Sequence, residues 1–123
     1  MKRILIIDDE ASITRSVKLN LEALGAYEVY QENDPRTAVH TAREVRPDLI
    51  LLDVMMPDLD GGEVAAELQK TPGLQHVPII FLTAIVSNEE TQGREASIGG
   101  HDFLAKPVDL DVLVNTIESH LED

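Results

Sequence analysis

A chain of 123 residues has room for one domain, 1–123, and can bury most of the surface that its unfolded form would expose. Its 23 acidic residues against 10 basic ones leave a formal charge of −13, which repels nucleic-acid phosphates and anionic membrane surfaces and argues against direct binding to either. The absence of cysteine excludes disulfides, thiol catalysis and Cys-based zinc sites, and with no Trp, two Tyr and two Phe the core must be built from Ile, Leu, Val and Ala.

Ile4-Leu5-Ile6-Ile7 reads as a first strand that runs straight into Asp8-Asp9-Glu10. The same acids interrupt the apolar run after Met1-Lys2-Arg3 too early for an export signal. No stretch approaches a membrane-spanning length, so a cytoplasmic location is expected. Ile13, Val17, Leu21 and Leu24 then fall at helical spacing, with Gly25 placed to end the helix. Tyr27-Glu28-Val29-Tyr30 alternates, as suits a strand at or near a sheet edge. Asp34-Pro35 opens a second helix whose inner face is Ala38, Val39, Ala42 and Val45, closed by Pro47.

The central run is Leu49-Ile50-Leu51-Leu52, ending in Asp53. Four consecutive apolar residues demand cover on both faces, the habit of an interior strand in a parallel sheet. Pro57-Asp58-Leu59-Asp60-Gly61-Gly62 has turn chemistry, followed by a third helix with Val64, Ala65 and Leu68 inward and Pro72-Gly73 as its stop. A fourth strand is expected from Val77 through Ile79-Ile80-Phe81-Leu82 to Thr83, with Pro78 tolerated at its start. Ser87-Asn88-Glu89-Glu90 resembles a capping box for a fourth helix. That helix has an interior Gly93 and few apolar residues, and it is expected to be mobile. Phe103-Leu104-Ala105 forms a short fifth strand before Lys106-Pro107, and a last helix from about Asp109 turns Leu110, Leu113, Val114, Ile117 and Leu121 inward.

Strand and helix thus alternate five times through short connections, which predicts an α/β fold with a five-stranded parallel sheet and five helices distributed over both faces. The flavodoxin-like order 2-1-3-4-5 places strands one and three side by side where the order reverses, the place where open α/β sheets bind ligands. Asp8, Asp9, Asp53 and Thr83 should converge there. Singly these residues have blander readings: Asp8 and Asp9 as caps of the first helix, Asp53 as a solvated strand-end acid, Thr83 as a strand-end hydroxyl and Lys106 as a surface ammonium. The four histidines, His40, His76, His101 and His120, lack metal-ligand spacing and read as surface residues.

The paired acids Asp8-Asp9, the Asp53-Val54-Met55-Met56-Pro57 turn with Gly61 behind it, Thr83-Ala84, and Phe103-Leu104-Ala105-Lys106-Pro107 together resemble the motifs of the receiver domain of two-component response regulators, across essentially the whole chain. The resemblance, to the chemotaxis-regulator-like type, implies that Asp53 is the phosphoryl acceptor. Asp8, Asp9, Asp53 and the backbone carbonyl of Met55 would hold a divalent cation, Thr83 and Lys106 would contact the phosphoryl group, and a cis peptide would precede Pro107. It implies a histidine kinase or histidine phosphotransfer protein as donor, Thr83 and Phe103 as the switch pair, and a signalling face made by the fourth helix, fifth strand and fifth helix.

The residues fit that chemistry. Clustered carboxylates repel one another and favour a hard cation with oxygen ligands; Mg2+ fits a small carboxylate set best, and Mn2+ can substitute. An ionised aspartate can attack phosphorus without a separate base, while cation, Lys106 ammonium and Thr83 hydroxyl meet the charge on the phosphoryl oxygens. Catalysis would act on the chain itself and not on a turned-over substrate. Two rivals stay open. An aspartyl-phosphate phosphohydrolase commonly has a second acid two residues after the nucleophile, where this chain has Met55; a phosphate-independent interaction module would have no need of the acid, hydroxyl and lysine set. Because the chain ends just after the last helix, it is expected to be a single-domain regulator or one domain of a longer protein, acting as a monomer or as a phosphorylation-dependent homodimer, on a downstream target that the residues do not name.

Overall fold

The computed structural model describes residues 1–56, 59–83, 97–98, 101–105 and 109–121, with the backbone alone for 55–56, 59–60, 83, 97–98, 101–102 and 105. In chain order the elements are β1 (Lys2–Ile7), α1 (Ala11–Glu22), β2 (Tyr27–Glu32), a short 3-10 turn (Pro35–Thr37), α2 (Ala38–Val45), β3 (Leu49–Asp53), β4 (Met55–Met56), β5 (Leu59–Asp60), α3 (Gly61–Lys70), β6 (Ile79–Thr83), β7 (Ser97–Ile98), β8 (His101–Ala105) and α4 (Leu110–Leu121). The five principal strands run parallel in the order β2-β1-β3-β6-β8, which is the expected 2-1-3-4-5, and β7 adds a two-residue antiparallel pairing outside β8. The fourth helix expected from Ser87 lies outside the described residues, as do Lys106 and Pro107.

Side chains alternate across the sheet with a period of two, and each apolar run is therefore split between two cores. Leu5, Ile7, Ile50, Leu52, Ile79 and Phe81 pack with Ala38 and Ala42 of α2 and Val64, Ala65 and Leu68 of α3. Ile4, Ile6, Leu49, Leu51, Ile80 and Leu82 pack with Val17 and Leu21 of α1 and Leu113 and Ile117 of α4. Every residue of Ile4–Ile7 and Leu49–Leu52 has no solvent exposure, so neither face of these two runs is left wet. At roughly 1.5–3 kcal/mol for each fully buried aliphatic side chain, these two runs are a principal stabilising feature of the domain.

Several boundaries differ from those expected. Leu24 is not on the inward stripe of α1; the helix ends at Glu22 and Leu24 stands half exposed, while Thr14 takes a buried place. Gly25 follows at φ +85, the left-handed conformation that a glycine adopts at least cost. Pro35 enters a 3-10 turn before α2 begins at Ala38, with the Asp34 carboxylate accepting a hydrogen bond from the Arg36 N–H. Val77 is buried in the loop, and the strand starts at Ile79. The turn after Asp53 contains a small antiparallel hairpin, β4 with β5, and α3 begins at Gly61. Asp109 caps α4 through its carboxylate, which accepts from the N–H groups of Asp111 and Val112.

The exposed edge of β2 is covered by α1. The Lys18 ammonium donates to the Val29 carbonyl at 2.8 Å, the Val29 N–H donates to the Glu22 carboxylate at 3.0 Å, and Lys18 and Glu22 pair at 2.9 Å. An unpaired strand edge is a template for foreign strands, and this ion pair occupies it at Val29. The Val29 N–H first, and Lys18 second, hold the Glu22 carboxyl below the usual carboxylate range.

Tyr27 joins β2 to α4, its hydroxyl donating to the Glu118 carboxylate. Burial, reinforced by the hydrogen bond to Glu118 and its charge, pushes the Tyr27 phenol up to about 12. A phenol whose pKa is raised in the folded state contributes stability below its unfolded value, about 10, and that contribution is lost as pH climbs through the folded value. Tyr27→Phe should therefore flatten the fall in stability between about pH 10 and 12, as measured by denaturant midpoints across that window.

Candidate functional site

Parallel register brings the acids together. Ile7 pairs with Leu52, so the residues that follow, Asp8 and Asp53, leave adjacent strands side by side at the carboxyl edge of the sheet. Asp8 is fully buried and Asp53 is 2% exposed, whereas Asp9 is exposed at the rim. One oxygen from each of the three carboxylates lies within 4.8 Å of the others. The convergence expected of Asp8, Asp9 and Asp53 is thus present in the fold.

Such a group is costly to bury. Carboxylates held this close in a low-dielectric setting repel one another, and a cation or protons must offset the charge. The donor set, three oxygen anions of which one faces solvent, fits a hard divalent cation such as Mg2+ that accepts a few carboxylates and keeps several waters. Asp8 also serves the local turn, its Oδ1 accepting from the Glu10 N–H at 2.9 Å. Neither Asp8 nor Asp9 is the cap of α1; that position is Glu10, whose side chain makes no capping bond.

Asp53 is the last residue of β3 and lies in register with Leu82 of β6. The Val54 N–H donates to the Leu82 carbonyl at 2.9 Å, and the Val54 carbonyl accepts from the Gly61 N–H at 3.0 Å. Thr83 ends β6 one residue beyond the Asp53 partner, in register with Ala105, which places its backbone at the same sheet edge. Met55 pairs with Asp60 in the small hairpin directly after Asp53. Phe103 on β8 lies beside Phe81 in register and is half-buried against the core that α2 and α3 cover. The side chains of Thr83 and Met55 and all of Lys106 are outside the described residues.

Gly61 has a role beyond that of a turn residue. A Cβ at this position would sit 2.5 Å from the Asp53 carbonyl oxygen and 2.7 Å from the Val54 Cα. The first residue of α3 is packed against the backbone of Asp53, and only glycine leaves room for that approach. The Gly-Gly pair after the turn is the signal in the sequence, but nothing there says which glycine is crowded or by what.

With this geometry in view, residues 4–118 match the response regulator receiver domain. The chain belongs to the response regulator receiver family. Over 98% of its length the receiver domain is 36% identical to the DNA-binding dual master transcriptional regulator RpaA of Synechocystis, and over 87% it is 41% identical to the response regulator PleD of Caulobacter vibrioides. It spans 49% of the former protein and 23% of the latter. The polar-differentiation response regulator DivK of Brucella anthropi is 32% identical, with 99% of this chain and 98% of that one covered. Among solved structures, the chemotaxis protein CheY4 of Vibrio cholerae superimposes with a TM-score of 0.83 at 32% identity, covering 98% of this receiver domain and 99% of that chain. Among the described residues no helix is long and apolar enough to cross a membrane.

The crowding at Gly61 yields a prediction. Gly61→Ala should lower stability by about 1–3 kcal/mol, the usual cost of overpacking, because the obstacle is backbone and not a flexible side chain. Chemical denaturation checks this, and an unchanged midpoint would show that α3 slides away from β3 at no cost.

Proposed function

We propose that this receiver domain is a phosphorylation-controlled switch in which Asp53 takes a phosphoryl group from the phosphohistidine of a histidine kinase or phosphotransfer protein. The observation that carries this reading is the placement of a buried Asp53 with Asp8 and Asp9, oxygen ligands within 4.8 Å of one another, at the point where strand order reverses. An Asp53 carboxylate oxygen forms the new P–O bond in line with the P–N bond that breaks, and the departing imidazole nitrogen takes a proton from solvent. Hydrolysis later returns the carboxylate and inorganic phosphate. Asp8, Asp9, Asp53 and the Met55 carbonyl would hold Mg2+, or Mn2+ in its place, which when bound supplies neutralising charge for the phosphoryl oxygens. The Lys106 ammonium and the Thr83 hydroxyl would add charge and a hydrogen bond to the phosphoryl oxygens.

Movement of Thr83 toward a phosphoryl group on Asp53 would open space in which Phe103 turns further inward, altering the face that includes β8 and α4. Phe103 has no hydroxyl to anchor it, so packing alone sets its position. In this role the chain acts on its own Asp53 and then on a downstream partner. Its acidic surface favours a protein partner over a nucleic acid.

Incubation with Mg2+ and a small phosphodonor, followed by intact mass measurement, should show one added phosphoryl group, lost in Asp53→Asn and on chelation of the metal. Persistence of the adduct in Asp53→Asn would overturn the assignment. Multiple turnover of a phosphate ester would favour a phosphohydrolase, and failure to label with any donor would favour a phosphate-independent module.

The apolar residues Met55 and Ile85, two positions beyond Asp53 and Thr83, should slow hydrolysis by hindering the attacking water. Polar replacement at both positions should shorten the lifetime of the phosphorylated form, read as the rate of phosphate release. A rate no faster than the parent's would refute this.

A further inference from the structure

Beyond the last ladder pair of β1 and β2, Ile7 with Glu32, the backbone of Asp8 continues to be held as if the sheet went on. Its N–H donates to the Glu32 carbonyl at 3.1 Å. In a continuing parallel ladder its carbonyl would accept from the N–H of Asp34. That N–H is diverted, donating to the Glu32 carboxylate at 2.9 Å as the chain turns into Pro35. A side chain takes its place: the Asn33 amide Nδ2 donates to the Asp8 carbonyl at 2.8 Å.

The same amide nitrogen donates to the Thr14 hydroxyl at 3.0 Å. Thr14 is fully buried on α1, and its single proton has the Gln31 side-chain oxygen at 2.9 Å and the Ala11 carbonyl at 3.1 Å as acceptors. Asn33 therefore ties three things with two N–H bonds: the end of β1, the first turn of α1, and the end of β2. Its own loop is fixed from the other side, where the Glu32 carboxylate also accepts from the Thr41 hydroxyl on α2.

We propose that Asn33, with Thr14 behind it, is a positioning residue that holds the segment from Asp8 into α1 and so sets the divalent-cation affinity of the Asp8, Asp9 and Asp53 cluster. The proposal rests on reading that cluster as a cation site. A ligand carboxylate is only as well placed as its backbone. The Asp8 backbone is held at both its N–H and its C=O, the latter by a side chain, the Asn33 amide. Because Asn33 itself is exposed, its loss removes a support of the site without emptying any part of the core.

Calorimetric titration of the full chain with Mn2+ and Mg2+, alongside thermal melting, tests this. Asn33→Ala should weaken binding about tenfold, in line with the effect of removing groups that orient metal ligands, while shifting the melting point little. Asn33→Asp keeps the shape but sets an acceptor where the amide donated to the Asp8 carbonyl, so affinity should fall there too although the added negative charge by itself favours a cation. Thr14→Val should weaken binding in the same direction and Thr14→Ser should restore it. Affinities within twofold of the parent in both Asn33 variants would overturn the proposal. So would an equal loss in Ala42→Gly, a change on the far side of the sheet that lowers the melting point at least as much. If the parent chain itself binds neither metal, the cation reading of the cluster fails and the proposal falls with it; binding by the parent with unaltered variants removes only the positioning role.

Discussion

The structure depends on one electrostatic constraint, the burial of two aspartates at the ends of adjacent parallel strands. Asp8 and Asp53 follow two runs with no solvent exposure, so the hydrophobic packing that stabilises β1 and β3 also forces their carboxylates together at the sheet edge. Apolar burial is cumulative and non-directional, and here it outweighs a local charge repulsion that no isolated turn would tolerate. Hydrogen bonds such as that from the Glu10 N–H to Asp8 Oδ1 ease the repulsion, and positive charge brought to the cluster would ease it further. Three carboxylate oxygens within 4.8 Å of one another form a donor set of the kind that a hard cation accepts.

The surroundings of the acids divide into a side held by backbone bonds, Asn33 and α3, and a side formed by β6 and β8. On the first side, backbone bonds and Asn33 hold Asp8, and α3 begins so close to Asp53 that Gly61 has no space for a Cβ. On the other, β6 brings the Thr83 backbone to the same edge, and β8 places Phe103 against Phe81. An acceptor that must offer one oxygen in line with a breaking bond needs the first kind of support, since misplacement by about 1 Å can cost two orders of magnitude in rate. A transmitted signal needs an element with two packings, and a half-buried Phe whose ring has no polar anchor is suited to that.

Away from the site, the same fold protects its own edge. The Lys18 and Glu22 pair lies on α1 one turn apart and meets both polar groups of Val29, a residue whose backbone faces outward at the β2 edge. Helical spacing and strand spacing happen to match at that one residue. On the opposite edge of the sheet, β8 is followed outward by the two-residue β7.

Much of this was legible from residues alone, because period-two and period-3.6 patterns report burial directly. The continuous runs at Ile4–Ile7 and Leu49–Leu52 announced strands covered on both faces, the alternation at Tyr27–Tyr30 announced an edge, and short connections between them implied the parallel order and hence the meeting of Asp8 with Asp53. Local pattern failed where the outcome depended on what lay across space. Leu24 has the right spacing but falls past the end of α1, Val77 is buried without being in a strand, and Thr14 is buried because distant Gln31 and Asn33 satisfy its hydroxyl. The chain's own order of residues determined its five principal strands, their layering and the identity of the acidic cluster. Only the tertiary structure decided that Asn33 completes the sheet at Asp8 and that Gly61 must lack a side chain, because both depend on distances between backbones that no periodicity encodes.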